Sequence, residues 1–347
     1  MSADARCPAC LKPAPKQALE NHFDRIGQKP YEVLRCPRCG VVFSEPQAAV
    51  GAEWYEKAAP IRDREMHLAP ERDWRYRTFL RRNLPPGRIL DVGCGDGGFL
   101  LLSEKNGFRG TGFDYDSRMI ELARRAGLAD VEAAEFEQFC AKRRPGEFDF
   151  ITLFDVLEHT PKPHWFLESL KNLLKPGGYV AITLPNGQRP LLFGREEHDY
   201  PPHHFTRWTP ATLSRFLENL DFQVIYVHAS RLKLSYLSDN AFFYFFQKVL
   251  PWAKRRLLGL GPEKSQKTIT EIMLCSSQEM PGWFLRLIGD KLARQTWVNR
   301  AKGIFKVLFF PGAAGLWLFY KLRGRQCGDC LFVLARRRPP GHSRKDI

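Results

Sequence analysis

The chain has 347 residues, about twice the usual domain of roughly 150, and its 44% hydrophobic and 26% charged residues exclude both a short peptide-like fold and a disordered chain. The net charge of +15 lies entirely in residues 229–347, which hold 22 basic and 7 acidic side chains against 31 of each in residues 1–228. A local basic tail beside apolar runs suits an anionic surface, membrane or nucleic acid, better than a uniformly basic protein would.

Met1 to Pro15 carries Asp4, two cysteines and three prolines where a secretory signal needs an apolar stretch, so a cytoplasmic location is expected, with cysteines as thiols or metal ligands. Two C-x-x-C turns follow, Cys7-Pro-Ala-Cys10 and Cys36-Pro-Arg-Cys39-Gly40. Four sulfurs on two tight turns supply the tetrahedral ligand set of a structural zinc and leave no open position for catalysis. Residues 1–50 are therefore expected to form a zinc ribbon held by Cys7, Cys10, Cys36 and Cys39, since so short a segment cannot build a sufficient core alone.

Residues 51–86 are charged and aromatic, with Trp54, Tyr55, Trp74, Tyr76 and Phe79 among many arginines, and read as a helical linker or cap whose aromatics serve packing. Pro85-Pro86-Gly87 marks its end. Over residues 87–228 apolar runs alternate with helical stretches, the pattern of an α/β domain whose parallel sheet is covered on both faces. Predicted strands are Arg88 to Val92, Gly110 to Asp114, Val131 to Phe136, Phe148 to Leu157, Tyr179 to Leu184 and Phe222 to Val227. Predicted helices are Gly98 to Lys105, Ser117 to Ala126, Pro163 to Leu174 and Pro210 to Asn219, the last capped by Thr209 with Pro210 in the first helical position.

Ile89-Leu90-Asp91-Val92-Gly93-Cys94-Gly95-Asp96-Gly97-Gly98 is a strand running into a glycine-rich turn and a helix. Its spacing to Asp114 fits a dinucleotide site and an S-adenosylmethionine site equally. Charge separates the two: Asp91 and Asp96 would repel a pyrophosphate at the helix N-terminus but attract a sulfonium and an ammonium, while Asp114 accepts from ribose hydroxyls.

Leu90-Asp91-Val92-Gly93-Cys94-Gly95, Gly112-Phe113-Asp114, the run Phe148 to His159 ending Asp155-Val156-Leu157-Glu158-His159, and Leu174-Lys175-Pro176-Gly177-Gly178 resemble the successive motifs of class I S-adenosylmethionine-dependent methyltransferases. The branch is similar to the ubiquinone-biosynthesis O-methyltransferases, and the cysteine turns resemble the zinc-binding front end of many bacterial members. The resemblance implies a doubly wound Rossmann-like sheet of seven strands, the last antiparallel and supplied by residues 327–338. It implies that Gly93, Cys94 and Gly95 line the methionine part of S-adenosylmethionine, with Asp91 near its ammonium and Asp114 on the ribose. Tyr115 flanks the adenine, Glu135 and Phe136 stand near the adenine amine, and Phe154 and Asp155 close the pocket.

Methyl transfer from a sulfonium is an in-line displacement governed by positioning, and a hydroxyl acceptor also needs a base. His159, beside Glu158, and His203 and His204, on the connection after the fifth core strand, are the candidates. The expected acceptor is a small molecule, glycan or lipid-linked hydroxyl; the alternatives are carbon methylation of a deoxysugar and RNA or DNA methylation. Asp155-Val156-Leu157-Glu158 in place of an Asn-Pro-Pro-Tyr-type motif argues against base methylation. The sequence leaves oligomeric state open.

Residues 229–326 read as a basic, aromatic helical insertion, with Ala241 to Phe246 followed by Lys254-Arg255-Arg256 and an uncharged stretch from Val307 to Tyr320. Neither run reaches the roughly 20 apolar residues of a bilayer span, so the two readings are helices capping the sheet and peripheral contact with an anionic membrane. Cys327 and Cys330 form a third C-x-x-C without a partner pair and read as incidental; residues 339–347 read as a disordered tail.

Overall fold

The computed structural model describes residues 6–13, 18–24, 26–48, 69–191, 195, 199–234, 237, 311–322 and 328–339. The chain divides into two compact units, Met1–Arg189 with Tyr200–Ser230 and Gly328–Ile347, and Pro190–Asp199 with Arg231–Cys327.

The first unit holds two sheets. The small one contains β1 (Ala18–Asp24), β2 (Lys29–Arg35) and β3 (Val42–Glu45), each antiparallel to the next. Its fourth strand, β9 (Thr206–Arg207), comes from far along the chain and pairs antiparallel with β3. Cysteine turns at either end of the β1–β2 hairpin close this layer: Leu11 N–H donates to the Cys7 carbonyl, and Gly40 N–H, in the left-handed region at φ +79, to the Cys36 carbonyl.

The large sheet is built from β4 (Arg88–Val92), β5 (Arg109–Asp114), β6 (Val131–Ala133), β7 (Phe148–Phe154), β8 (Leu174–Pro185), β10 (Phe222–Ala229) and β11 (Cys330–Arg337). Their order is β10-β11-β8-β7-β4-β5-β6, with β4 to β8 mutually parallel and β11 antiparallel to both neighbours. The doubly wound sheet with its last strand reversed is therefore present. Five of the seven residues of the central β7 are consecutively buried, as a strand covered on both faces requires.

Helices α1 (Trp74–Leu80), α2 (Gly98–Glu104), α3 (Ser117–Arg125), α4 (Phe136–Ala141), α5 (Pro163–Leu173) and α6 (Pro210–Asn219) connect the strands or precede them. The predicted bounds of α6 hold because Thr209 and Thr212 form a reciprocal cap and Pro210 opens the first turn. Asp73 caps α1 and Asp116 caps α3 through their side chains.

Three of the six predicted core strands differ by three residues or more at one end. The one expected to reach Phe136 stops at Ala133, because Phe136 opens α4. The one expected to reach Leu157 stops at Phe154, where Asp155 turns the backbone into the left-handed region at φ +58 and Leu157–His159 form a 3₁₀ turn. β8 starts at Leu174 instead of Tyr179, with a bulge that sets Phe148 opposite Leu174 and Phe150 opposite Tyr179. Gly178 permits this approach, since a Cβ there would lie 2.8 Å from the Asp149 carbonyl oxygen.

In the second unit residues 311–322 are helical, Pro311 and Gly312 included. The Trp317 indole N–H donates to the Leu232 carbonyl at 2.9 Å, and the Lys321 ammonium sits 4.6 Å from that ring. The Ala241 to Phe246 run, Lys254 to Arg256, Val307 to Phe310, Trp54, Tyr55 and Cys327 lie outside the described residues. Among the described residues no helix is long and apolar enough to cross a membrane.

Candidate active site

The sheet order reverses between β4 and β7: β5 and β6 follow to one side of β4, and β7 and β8 to the other. Ligands of doubly wound folds bind outside the carboxyl ends of the strands at such a point. The glycine turn after β4 and the Phe154-Asp155 pair at the end of β7 flank it.

Backbone geometry shapes the turn. Gly93, Gly95 and Gly97 all take positive φ, at +69, +55 and +76, which only glycine adopts at little cost. Gly93 and Cys94 N–H groups both donate to the Phe113 carbonyl, fastening the turn to β5. A Cβ on Gly93 would meet Val156 Cγ2 at 2.9 Å, whereas one on Gly95 would find nothing nearer than Met119 Cε at 3.9 Å. The turn is thus closed on one side and open on the other, a cradle for a ligand.

Carboxylates surround that cradle. Asp91, buried at the end of β4, accepts from Thr152 Oγ1 at 2.6 Å. Asp114 accepts from Gly95 N–H at 3.0 Å and Asp116 N–H at 2.9 Å, tying the turn to the end of β5. Asp96 accepts from Gly98 N–H at 3.1 Å and so starts α2. Burial, then Asp91, Asp114 and Asp96, push the Cys94 thiol well above the usual range, which keeps it neutral and unreactive.

The helix before the domain also reaches the site. Tyr76 is buried against Phe99 and Phe154, at ring distances of 5.2 and 5.3 Å. Burial raises its phenol above the ordinary value, Arg75 opposes this, and Asp91, Asp73 and Asp96 add to it. Arg75 donates to both oxygens of Asp73 and to Asp155, whose other oxygen accepts from Thr183 Oγ1 at 3.1 Å. Burial alone would lower the Arg75 pKa, but Asp155 and Asp73 hold it above the usual arginine value. Asp155 is legible from the motif after the fourth core strand, whereas Arg75 has no periodicity to mark it among its neighbouring arginines.

Of the other residues expected at the cofactor, Tyr115 follows β5 and is 44% exposed. Glu135 is exposed at the N-cap of α4, and Phe136 packs against Phe166 and Trp165 at 4.3 and 5.3 Å.

The three candidate histidines meet. His159 ends the 3₁₀ turn after β7, and His203 and His204 lie on the segment leading to β9; their rings are 4.7 to 4.8 Å apart pairwise. His203 and His204 N–H groups both donate to the Tyr200 carbonyl, and Phe205 N–H donates to the Glu158 carbonyl at 2.8 Å. The small sheet braces this segment: Ser44 N–H donates to the Phe205 carbonyl, Tyr200 Oη donates to Glu20 at 2.9 Å, Arg207 pairs with Glu20, and His22 stacks on Tyr200 at 4.6 Å.

The four cysteine sulfurs of the small sheet lie within 4.8 Å of one another, with Cys7 and Cys39 at 3.6 Å and Cys10 and Cys36 at 3.7 Å. A tetrahedral zinc with bonds of about 2.3 Å needs sulfurs about 3.8 Å apart. The donor set fits a closed structural site.

A glycine turn open between carboxylates thus lies at the switch point of a seven-stranded doubly wound sheet with one reversed strand. Residues 63–227 match a family model described as a methyltransferase domain. Over these residues the chain is similar to S-adenosylmethionine-dependent methyltransferase domains. It is similar to a ubiquinone biosynthesis O-methyltransferase of Bordetella bronchiseptica, 31% identical over 158 residues, 43% of this chain and 63% of that protein. A protein of the same description from Xanthomonas campestris is 34% identical over 149 residues, 40% of this chain and 59% of that protein. The chain thus spans about three fifths of the curated relatives it matches. Among solved structures, a SAM-dependent methyltransferase from Archaeoglobus fulgidus aligns with 17% identity and a TM-score of 0.45, covering 81% of this chain and 99% of that one.

Proposed function

We propose that the chain transfers a methyl group from S-adenosylmethionine to a hydroxyl of a small-molecule, glycan or lipid-linked acceptor. The observation that carries this reading is the ring of three carboxylates, Asp91, Asp96 and Asp114, around an open glycine turn. Negative charge there favours a sulfonium and an ammonium and disfavours a pyrophosphate. The descriptions of the curated relatives support oxygen as the acceptor atom.

Bound S-adenosylmethionine would supply an electrophilic methyl carbon. Gly93, Cys94 and Gly95 would hold its methionine part along the turn, Asp91 would face the ammonium, and Asp114 would accept from the ribose hydroxyls. Phe154 and Tyr76, packed on each other, would exclude water from one wall. The cluster of His159, His203 and His204 would promote loss of the acceptor proton as the oxygen attacks, an effect typically worth 10²- to 10⁴-fold. The rest of the rate gain comes from holding oxygen, carbon and sulfur in line. Peripheral contact of the basic C-terminal region with an anionic membrane would bring the enzyme to a lipid-linked acceptor.

Calorimetry on the wild type and Asp114→Asn tests the site. S-adenosylmethionine should bind the wild type and lose at least about tenfold in the variant, as expected for a charged hydrogen bond worth about 1.5–3 kcal/mol. Binding of NADH with no uptake of the methyl donor would overturn the reading.

A further inference from the structure

We propose that His159, His203 and His204 together bind a divalent transition-metal ion of the zinc type, in a site separate from the four-cysteine cluster and with a coordination position open. His159 lies 44 residues before the adjacent pair His203 and His204, yet one ring nitrogen from each lies within 4.8 Å of the others. Imidazole nitrogen suits zinc, cobalt, nickel and iron, and three protein ligands are the number found where a metal keeps a position open.

The hydrogen bonding prepares one ligand atom. His159 Nδ1 lies 2.6 Å from the His203 carbonyl oxygen, which can only accept, so Nδ1 carries the proton and Nε2 presents its lone pair. A backbone carbonyl on the far nitrogen is the partner that orients a metal-bound histidine and raises its basicity. The Glu158 carboxylate, 3.9 Å from Nε2, adds negative charge beside the site.

Both ligand-bearing segments are anchored. Glu158 and Phe205 share a backbone hydrogen bond, and the His203-His204 pair hangs from the Tyr200 carbonyl on one side and from the β3–β9 pairing on the other. Tetrahedral bonds of 2.0–2.1 Å place ligand nitrogens about 3.4 Å apart, so each ring swings inward by at most about 0.8 Å to close on the ion. The open position would take the acceptor oxygen; that use, unlike the binding itself, rests on the methyl-transfer reading.

Cobalt titration of the full-length protein tests the site. The wild type should take up two equivalents, one with the intense sulfur-to-cobalt charge-transfer band of a thiolate site and one with weaker visible bands alone. His203→Ala and His159→Gln should each weaken the second equivalent at least tenfold and leave the thiolate equivalent unchanged, which also reports that the variant is folded. X-ray absorption on the wild type with two equivalents should show imidazole scattering, a readout that needs no variant. A single equivalent in the wild type, or a second one without imidazole ligation or untouched by both substitutions, overturns the proposal. Calorimetry with S-adenosylmethionine separates the two readings: donor binding without a second metal sinks only the metal site, and a second metal without donor binding sinks only the methyl-transfer reading.

Discussion

Arg75 and Asp155, eighty residues apart, form an ion pair that fastens α1 to the end of β7 beside the glycine turn. Both side chains are largely buried, and Asp73 completes the set from the N-cap of α1. Removing the cation from such a cluster leaves two carboxylates facing each other without compensation.

Arg75→Ala should therefore lower the unfolding free energy by about 2 kcal/mol, less than the 3–5 of a fully buried pair because the cluster keeps some solvent contact. Arg75→Lys should recover little, since one ammonium cannot reach Asp73 in two places and Asp155 together. Urea unfolding midpoints decide it; a fully stable lysine variant would show that geometry is irrelevant and only charge counts.

Losing the ion of the four-cysteine cluster should loosen the histidine segment. Ser44 and Phe205 share a backbone bond, and Val42 pairs with Arg207, so the small sheet is the brace of residues 203–207. Cys36→Ser should speed amide hydrogen exchange at residues 203–207 at least tenfold while β7 stays protected. Unchanged exchange there would mean that the segment holds its shape independently.

Two glycine substitutions separate crowding from backbone strain. A Cβ on Gly112 would lie 2.7 Å from Leu100 Cδ1 and 2.8 Å from Cys94 Sγ, so Gly112→Ala should cost about 1–3 kcal/mol by overpacking and distort the turn. Gly127, at φ +105, has nothing within 4 Å of its added Cβ, and Gly127→Ala should cost about 1 kcal/mol from conformation alone. Thermal unfolding checks the stabilities, and donor affinity should fall only for Gly112→Ala.

Asp149 links the start of β4 to β8. Burial would raise its pKa, but Lys175, at 2.7 Å, and the Arg88 N–H, at 3.0 Å, outweigh it and hold the carboxyl below the ordinary 3.8. A depressed pKa in the folded state adds stability that is complete above the unfolded value and lost as pH falls through the folded one. Asp149→Asn should thus be less stable than wild type by under about 1 kcal/mol from pH 7 to 5, with the gap closing below about pH 4. A gap that widened in acid would reverse the sign and refute the assignment.

What could be read in the sequence was local. Positive-φ turns need glycine, so Gly93, Gly95 and Gly97 announced the cradle; Thr209 and Pro210 announced the bounds of α6; paired C-x-x-C turns announced a metal cluster whose sulfurs indeed converge. Each depends on residues a few positions apart, where backbone sterics and short hydrogen bonds decide the outcome. The tertiary structure alone decided that Arg75 answers Asp155, that Thr206 and Arg207 complete the small sheet, and that His159 meets His203 and His204. Those pairings are set by the order in which strands join the sheet, a collective result of burying whole faces against one another, and no short window of sequence carries it.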